Sequence, residues 1–141
     1  MEKKISKSKA VIITFVAVGV VVIFLSFFAV DNIISTENIY WNNVSLFDTL
    51  LNAIATGPET LYMVDASNYQ SVFQMQDPFE AYFQKGFQYI SITDERILFC
   101  KTSNWGSTSG VAYVLDDSSL NLPKYAFEHL EGKWYYYSSW L

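Results

Sequence analysis

One histidine, His129, and one cysteine, Cys100, set the limits of the chemistry open to this 141-residue chain. Nucleophilic catalysis by a Ser–His or Cys–His pair has to use His129. That residue sits in the strand-like run YAFEHL, facing Trp134 of the next run, where an imidazole packed on an indole is a structural part. One histidine and one cysteine do not make a transition-metal site. The oxygen-rich loop Asp116–Asn121 lacks the Asp-x-Asp-x-Asp-Gly spacing of a calcium loop and reads as a solvated turn. The carboxylate pairs Asp94-Glu95 and Asp116-Asp117 also fall in turns, where sequence neighbours point apart. Gly106 and Gly110 flank Ser-Thr-Ser in a connector, not in a phosphate loop. The expectation is a protein that is not an enzyme and needs no cofactor or metal.

The residues left are suited to contact. Trp105 sits mid-loop in SNWGSTSG, either capping the core or meeting a partner. Tyr135 and Tyr137 belong to KWYYYSSWL, which places five aromatics in the last nine positions. A two-residue loop at Glu131-Gly132 pairs Leu130 with Lys133. His129 then faces Trp134, Phe127 faces Tyr136 and Tyr125 faces Ser138, which makes Trp134, Tyr136, Phe127 and Tyr125 the buried side. Tyr135 and Tyr137 fall on the opposite side. They read either as a cross-strand stripe or as rings offered to a protein or glycan partner. Trp105, Tyr135 and Tyr137 are thus the candidate partner-binding residues.

Elements that would position these residues follow from periodicity. Leu46, Phe47, Leu50, Leu51 and Ile54 recur at helical spacing after Ser45, with Asp48 completing a capping-box-like start and Gly57-Pro58 as the stop. A short strand is expected near Leu61–Val64 and a helical turn within ASNYQSVFQMQ. Asp77-Pro78-Phe79-Glu80 opens a second helix that ends at Gly86. From Phe87 the period becomes two, and FQYISIT, RILFCKT, GVAYVLD, YAFEHL and KWYYYSSW are five strands separated by turn-like segments. The fold class is α+β, with short helices on an antiparallel meander. Cys100, inside ILFCK, reads as a small buried hydrophobe, with an intermolecular bridge as the alternative.

Ahead of all this lies AVIITFVAVGVVVIFLSFFAV, residues 10–30, without a single charge. As a helix it spans roughly 31 Å, near the thickness of a bilayer's hydrocarbon core. No polar stripe interrupts it, and Phe27 and Ala29 do not form a small-x-small cleavage site, so it reads as an uncleaved signal anchor. Lys3, Lys4, Lys7 and Lys9 precede it, which favours a cytoplasmic amino terminus. The expected organisation is a basic tail over 1–9, a single membrane span over 10–30, a stalk over 31–44 and an extracytoplasmic domain over 45–141. Beyond residue 30 the chain carries thirteen acids against five bases, which argues against nucleic acid as a partner. Asn43-Val44-Ser45 matches a glycosylation acceptor, a pattern too short to weigh much.

Over residues 86–140 the layout YISITDERILF, GVAYVLDD and the terminal WYYY hairpin resembles uncharacterised small single-span bacterial membrane proteins with an outer α+β domain. That likeness implies no activity or site residues. The strand-EGKW-strand unit is also similar to the closing hairpin of cone-shaped NTF2/cystatin-like domains, although an inward Asp or His of the kind their pocket enzymes use is lacking. The functional expectation is a cell-membrane-anchored binding or accessory module that engages a protein partner in the envelope. Its alternatives are a cell-wall glycan binder and an envelope hydrolase using Asp or Glu residues not yet placed. Protease added to intact cells should remove the folded part and any carboxyl-terminal tag. A tag that stays protected contradicts this topology.

Overall fold

All five period-two segments after Phe87 form strands, and so does the short run before them. A computed structural model describes residues 38–59, 62–104 and 106–140; the 1–9 tail, the 10–30 span and Trp105 lie outside the described residues. The described residues fall within one compact unit, Thr36–Leu141. In chain order its elements are helix α1 (Val44–Ala55), strand β1 (Tyr62–Asp65), helix α2 (Tyr69–Val72), helix α3 (Asp77–Gln84), then β2 (Tyr89–Ile92), β3 (Arg96–Asn104) and β4 (Ser107–Val114). A 3-10 turn (Asp117–Asn121) and strands β5 (Tyr125–Glu131) and β6 (Trp134–Trp140) follow. Among the described residues no helix is long and apolar enough to cross a membrane.

The architecture is α+β, with one six-stranded sheet, antiparallel throughout, in the order β1-β2-β3-β4-β6-β5. The expected meander holds through β4 and then breaks. Residues 115–124, with their 3-10 turn, are long enough to carry the chain past one strand position, so β6 lies beside β4 and β5 takes the edge. That exchange places aromatic-rich β6 in the interior and leaves the edge to the strand carrying Glu128 and Glu131. The other edge is blunted differently. Asn68 accepts from the Asp65 backbone N–H at 2.9 Å and donates to the Met63 carbonyl at 3.0 Å, standing in for a neighbouring strand.

Helix α1 packs because Phe47, Leu50 and Ile54 share one face and are buried. Its expected capping box at Ser45 is not made. The cap position is Asn43, without a side-chain capping bond, because a helical turn at residues 38–41 leads straight in and the Asn43 amide bonds back to the Ile39 carbonyl at 2.8 Å. Likewise Gln76, not Asp77, occupies the cap of α3, and Asp77 and Glu80 lie in its first turn, where carboxylates suit the helix dipole. Tyr40, within the segment read as a stalk, is fully buried and donates a hydrogen bond to the Glu131 carboxylate. The packed part of the chain therefore reaches back to residue 38. Helix α3 is pinned by Tyr82, whose hydroxyl donates to the Tyr89 carbonyl at 2.8 Å and whose ring stacks on Phe87 at 4.3 Å. The Lys101 ammonium lies over the Phe87 ring and donates to the Lys85 carbonyl at the end of α3.

The register of the last hairpin differs from the expected one. Gly132 has φ +53, so glycine takes the first loop position, the loop is Gly132-Lys133, and Glu131 pairs with Trp134. A bulge at Leu130 then shifts the ladder, and Phe127 meets Tyr137 while His129 meets Tyr135. The expected buried side is thereby divided. Trp134 enters the helix-covered core with Tyr40, Phe47, Phe99 and Tyr113, whereas Tyr125 and Phe127 join Tyr135 and Tyr137 on the other face. Cys100 is buried, with its thiol 3.4 Å from the Thr102 carbonyl.

Gly110, opposite Cys100 in the β3–β4 ladder, is required by space: a Cβ there would lie 2.0 Å from the Phe99 carbonyl oxygen. Gly110→Ala should therefore destabilise the fold by about 3 kcal/mol or more, since backbone must move. Gly132→Ala meets nothing within 4 Å and should cost only about 1–2 kcal/mol through its positive φ. Thermal melts of the two variants check this; equal losses would contradict it.

Candidate functional site

The carboxyl end of α1 does not close onto the sheet. After Ala55 the Thr56 hydroxyl turns back to the Asn52 and Ala53 carbonyls, both at 3.1 Å, and the chain leaves through Gly57-Pro58. A Cβ at Gly57 would lie 2.7 Å from the buried Phe73 ring, so any larger residue there has to displace that ring. The result is a cleft of 440 Å³ between the last turns of α1 and one end of the sheet, where β2, β3 and β4 meet their loops. Leu51 and Ile54 from the helix and Ile92, Ile97 and Tyr113 from the sheet line it, with Tyr62 at the side and Leu115 at the mouth. This size and apolar character are those of a ligand or side-chain pocket.

Polar groups are confined to the rim. Asn52, Thr93, Glu59 and Asp94 belong to the lining, and both carboxylates are exposed to solvent. The rim is held rigid by the backbone, because the Leu115 and Asp116 N–H groups both donate to the Glu95 carbonyl, at 2.8 and 3.0 Å. Thr93 closes the β2–β3 turn, its hydroxyl lying 3.0 Å from the Arg96 carbonyl and 3.2 Å from the Arg96 N–H. Asp116 is engaged as the cap of the 3-10 turn: it accepts from the Ser118 N–H at 2.9 Å, which holds its carboxyl below the usual range. Among the described residues no three His, Cys, Asp or Glu side chains gather as a metal site would require.

The residues singled out in the sequence are not part of this cleft. Tyr137 is 0% exposed beneath the second face of the sheet, and its hydroxyl has no hydrogen-bond partner among the described residues. Tyr135 is half-buried, edge-on to Phe127 at 6.3 Å and to His129 at 5.1 Å. The reading of Tyr137 as a ring offered to a partner is thus corrected, because the bulge at Leu130 brings Tyr125 and Phe127 onto its face and covers it. Over the same face the Arg96 guanidinium sits 4.9 Å from the Tyr125 ring centroid while pairing with Glu95 at 3.2 Å. The cleft itself had a signal in the sequence that went unread. Leu115 continues the Val111–Tyr113 alternation one step past the end of β4 and, unlike Val111, is left 44% exposed.

Several tyrosines are held protonated. Burial, and next the Cys100 thiol, push Tyr89 up to about 12. Burial likewise raises Tyr82 and Tyr137, and Tyr40 is raised by burial first and then by its hydrogen bond to Glu131. A raised phenol contributes stability that is whole below the unfolded value of about 10 and is lost as pH climbs through the folded one. Neither a protein-family model, nor a curated protein, nor a solved structure matches this chain. In an alkaline titration, ionisation of these buried tyrosines should coincide with loss of near-ultraviolet circular dichroism above about pH 11. Full tyrosinate absorbance with the fold intact would contradict it.

Proposed function

We propose that the chain is a single-pass membrane protein whose outer α+β part is a binding module for a protein partner in the envelope. Residues 10–30 supply the anchor, the lysines before them set a cytoplasmic amino terminus, and the acidic folded part faces outward. The observation that carries the binding role is the apolar cleft between α1 and the sheet, with Leu115 exposed at its mouth. An exposed leucine beside a preformed apolar hollow is the arrangement in which a partner's side chain finds both area and shape. The likeness to cone-shaped NTF2/cystatin-like domains belongs to this proposal.

The alternatives are less well supported. Glycan binding through Trp105, Tyr135 and Tyr137 loses one of its three rings to burial. The envelope-hydrolase reading calls for a carboxylate sunk in an apolar cleft, and Glu59 and Asp94 stand in solvent at the rim. A photo-crosslinking residue placed at Leu115 in native membranes should give one discrete protein adduct that disappears when Ala55→Trp fills the cleft. The same residue placed at exposed Gln84 on α3 should give none. Identical adducts from both positions, insensitive to Ala55→Trp, would overturn the role of the cleft.

A further inference from the structure

We infer that the cleft receives an apolar side chain from a protein segment carrying lysine or arginine on both sides of it, an inference that rests on the cleft being the binding site proposed above. Its floor, formed by Ile54, Ile92, Ile97 and Tyr113, offers no polar partner except the tyrosine hydroxyl, and 440 Å³ accommodates one or two large side chains. Its rim is acidic. Glu59 and Asp94 line the cleft, and no lysine or arginine does. Their neighbours are already engaged, Glu95 with Arg96 and Asp116 with the Ser118 N–H. Glu59 and Asp94 make no hydrogen bond or ion pair among the described residues, which leaves two unused carboxylates beside an apolar floor.

No basic residue among the described residues lines the cleft. Arg96 is held by Glu95 and Tyr125, and Lys101 by the Lys85 carbonyl and the Phe87 ring. Lys85 ends α3, Lys124 sits at the opposite end of the sheet against Trp140, and Lys133, whose carbonyl accepts from the Val114 N–H at 2.9 Å, is near the mouth but outside the lining. Between residues 38 and 140 eleven acids oppose five bases, so an anionic or acidic partner meets repulsion before it meets the floor. A purely apolar ligand accounts for the floor and leaves the two carboxylates without a role. A segment with an apolar residue between cations uses both, and the attraction steers its approach and selects its register.

The test uses the full-length chain in nanodiscs of zwitterionic lipid and three fluorescent peptides with a Leu-Phe core, flanked on each side by two lysines, two serines or two glutamates. The lysine peptide should bind at least tenfold more tightly than the other two, and its advantage should shrink as salt rises. Glu59→Gln with Asp94→Asn, both at exposed positions, should erase the tenfold difference, and Ala55→Trp should abolish binding. Serine and lysine peptides that bind equally, both lost on Ala55→Trp, overturn the cationic partner and leave the cleft as the site. Binding of every peptide unchanged by Ala55→Trp and by Leu115→Ser overturns the cleft as well.

Discussion

The position of Trp134 decides which face of the sheet becomes the core. Its indole lies 5.3–5.8 Å from the rings of Tyr40, Phe47 and Phe99 and 5.0 Å from Tyr113, so it joins the entering turn, α1, β3 and β4 in one cluster. With a single buried cysteine and no disulfide to close a loop, a folded part of this size depends on apolar burial alone. Large rings suit that need, since each can shield about 150–250 Å². Placed one residue out of register, Trp134 would leave the helices without their largest sheet partner.

Concentrating the aromatics at the amino-terminal half of α1 has a consequence at the other end. Phe47 meets Phe87, Phe99 and Trp134, but the last turn of the helix offers only Leu51, Ile54 and Ala55 to the sheet. Smaller side chains at the end of a helix do not fill the space that rings hold open at its start. The cleft is thus a product of the packing, and its rim is fixed by backbone bonds between the Glu95 carbonyl and the Leu115–Asp116 amides. A rigid rim lowers the ordering cost of binding.

Much of this was legible in the sequence. Helix α1, the stop at Gly57-Pro58, helix α3 ending at Gly86 and all six strands follow from local periodicity and from glycine and proline placement. The strand order and the hairpin register did not follow, for the same reason. Both depend on non-local choices: how far residues 115–124 carry the chain, and whether Gly132 takes the first or the second loop position. A single bulge at Leu130 was enough to move Tyr125 and Phe127 to the other face. Tyr137, placed on the face opposite Trp134 as either a cross-strand stripe or a partner-binding ring, is the most deeply buried of the last strand's tyrosines. The cleft is harder still to see in one dimension, because its lining comes from α1, β1, β2, β3 and β4, and only the exposed Leu115 hints at it.

Nuclear Overhauser contacts of the Trp134 indole, measured on the full-length chain in detergent micelles, test the central packing claim most directly. The account predicts contacts from that indole to the rings of Tyr40, Phe47 and Phe99, and from Phe127 to Tyr135 and Tyr137. Contacts between Trp134 and Tyr125 or Phe127 would put the hairpin in the other register and contradict it.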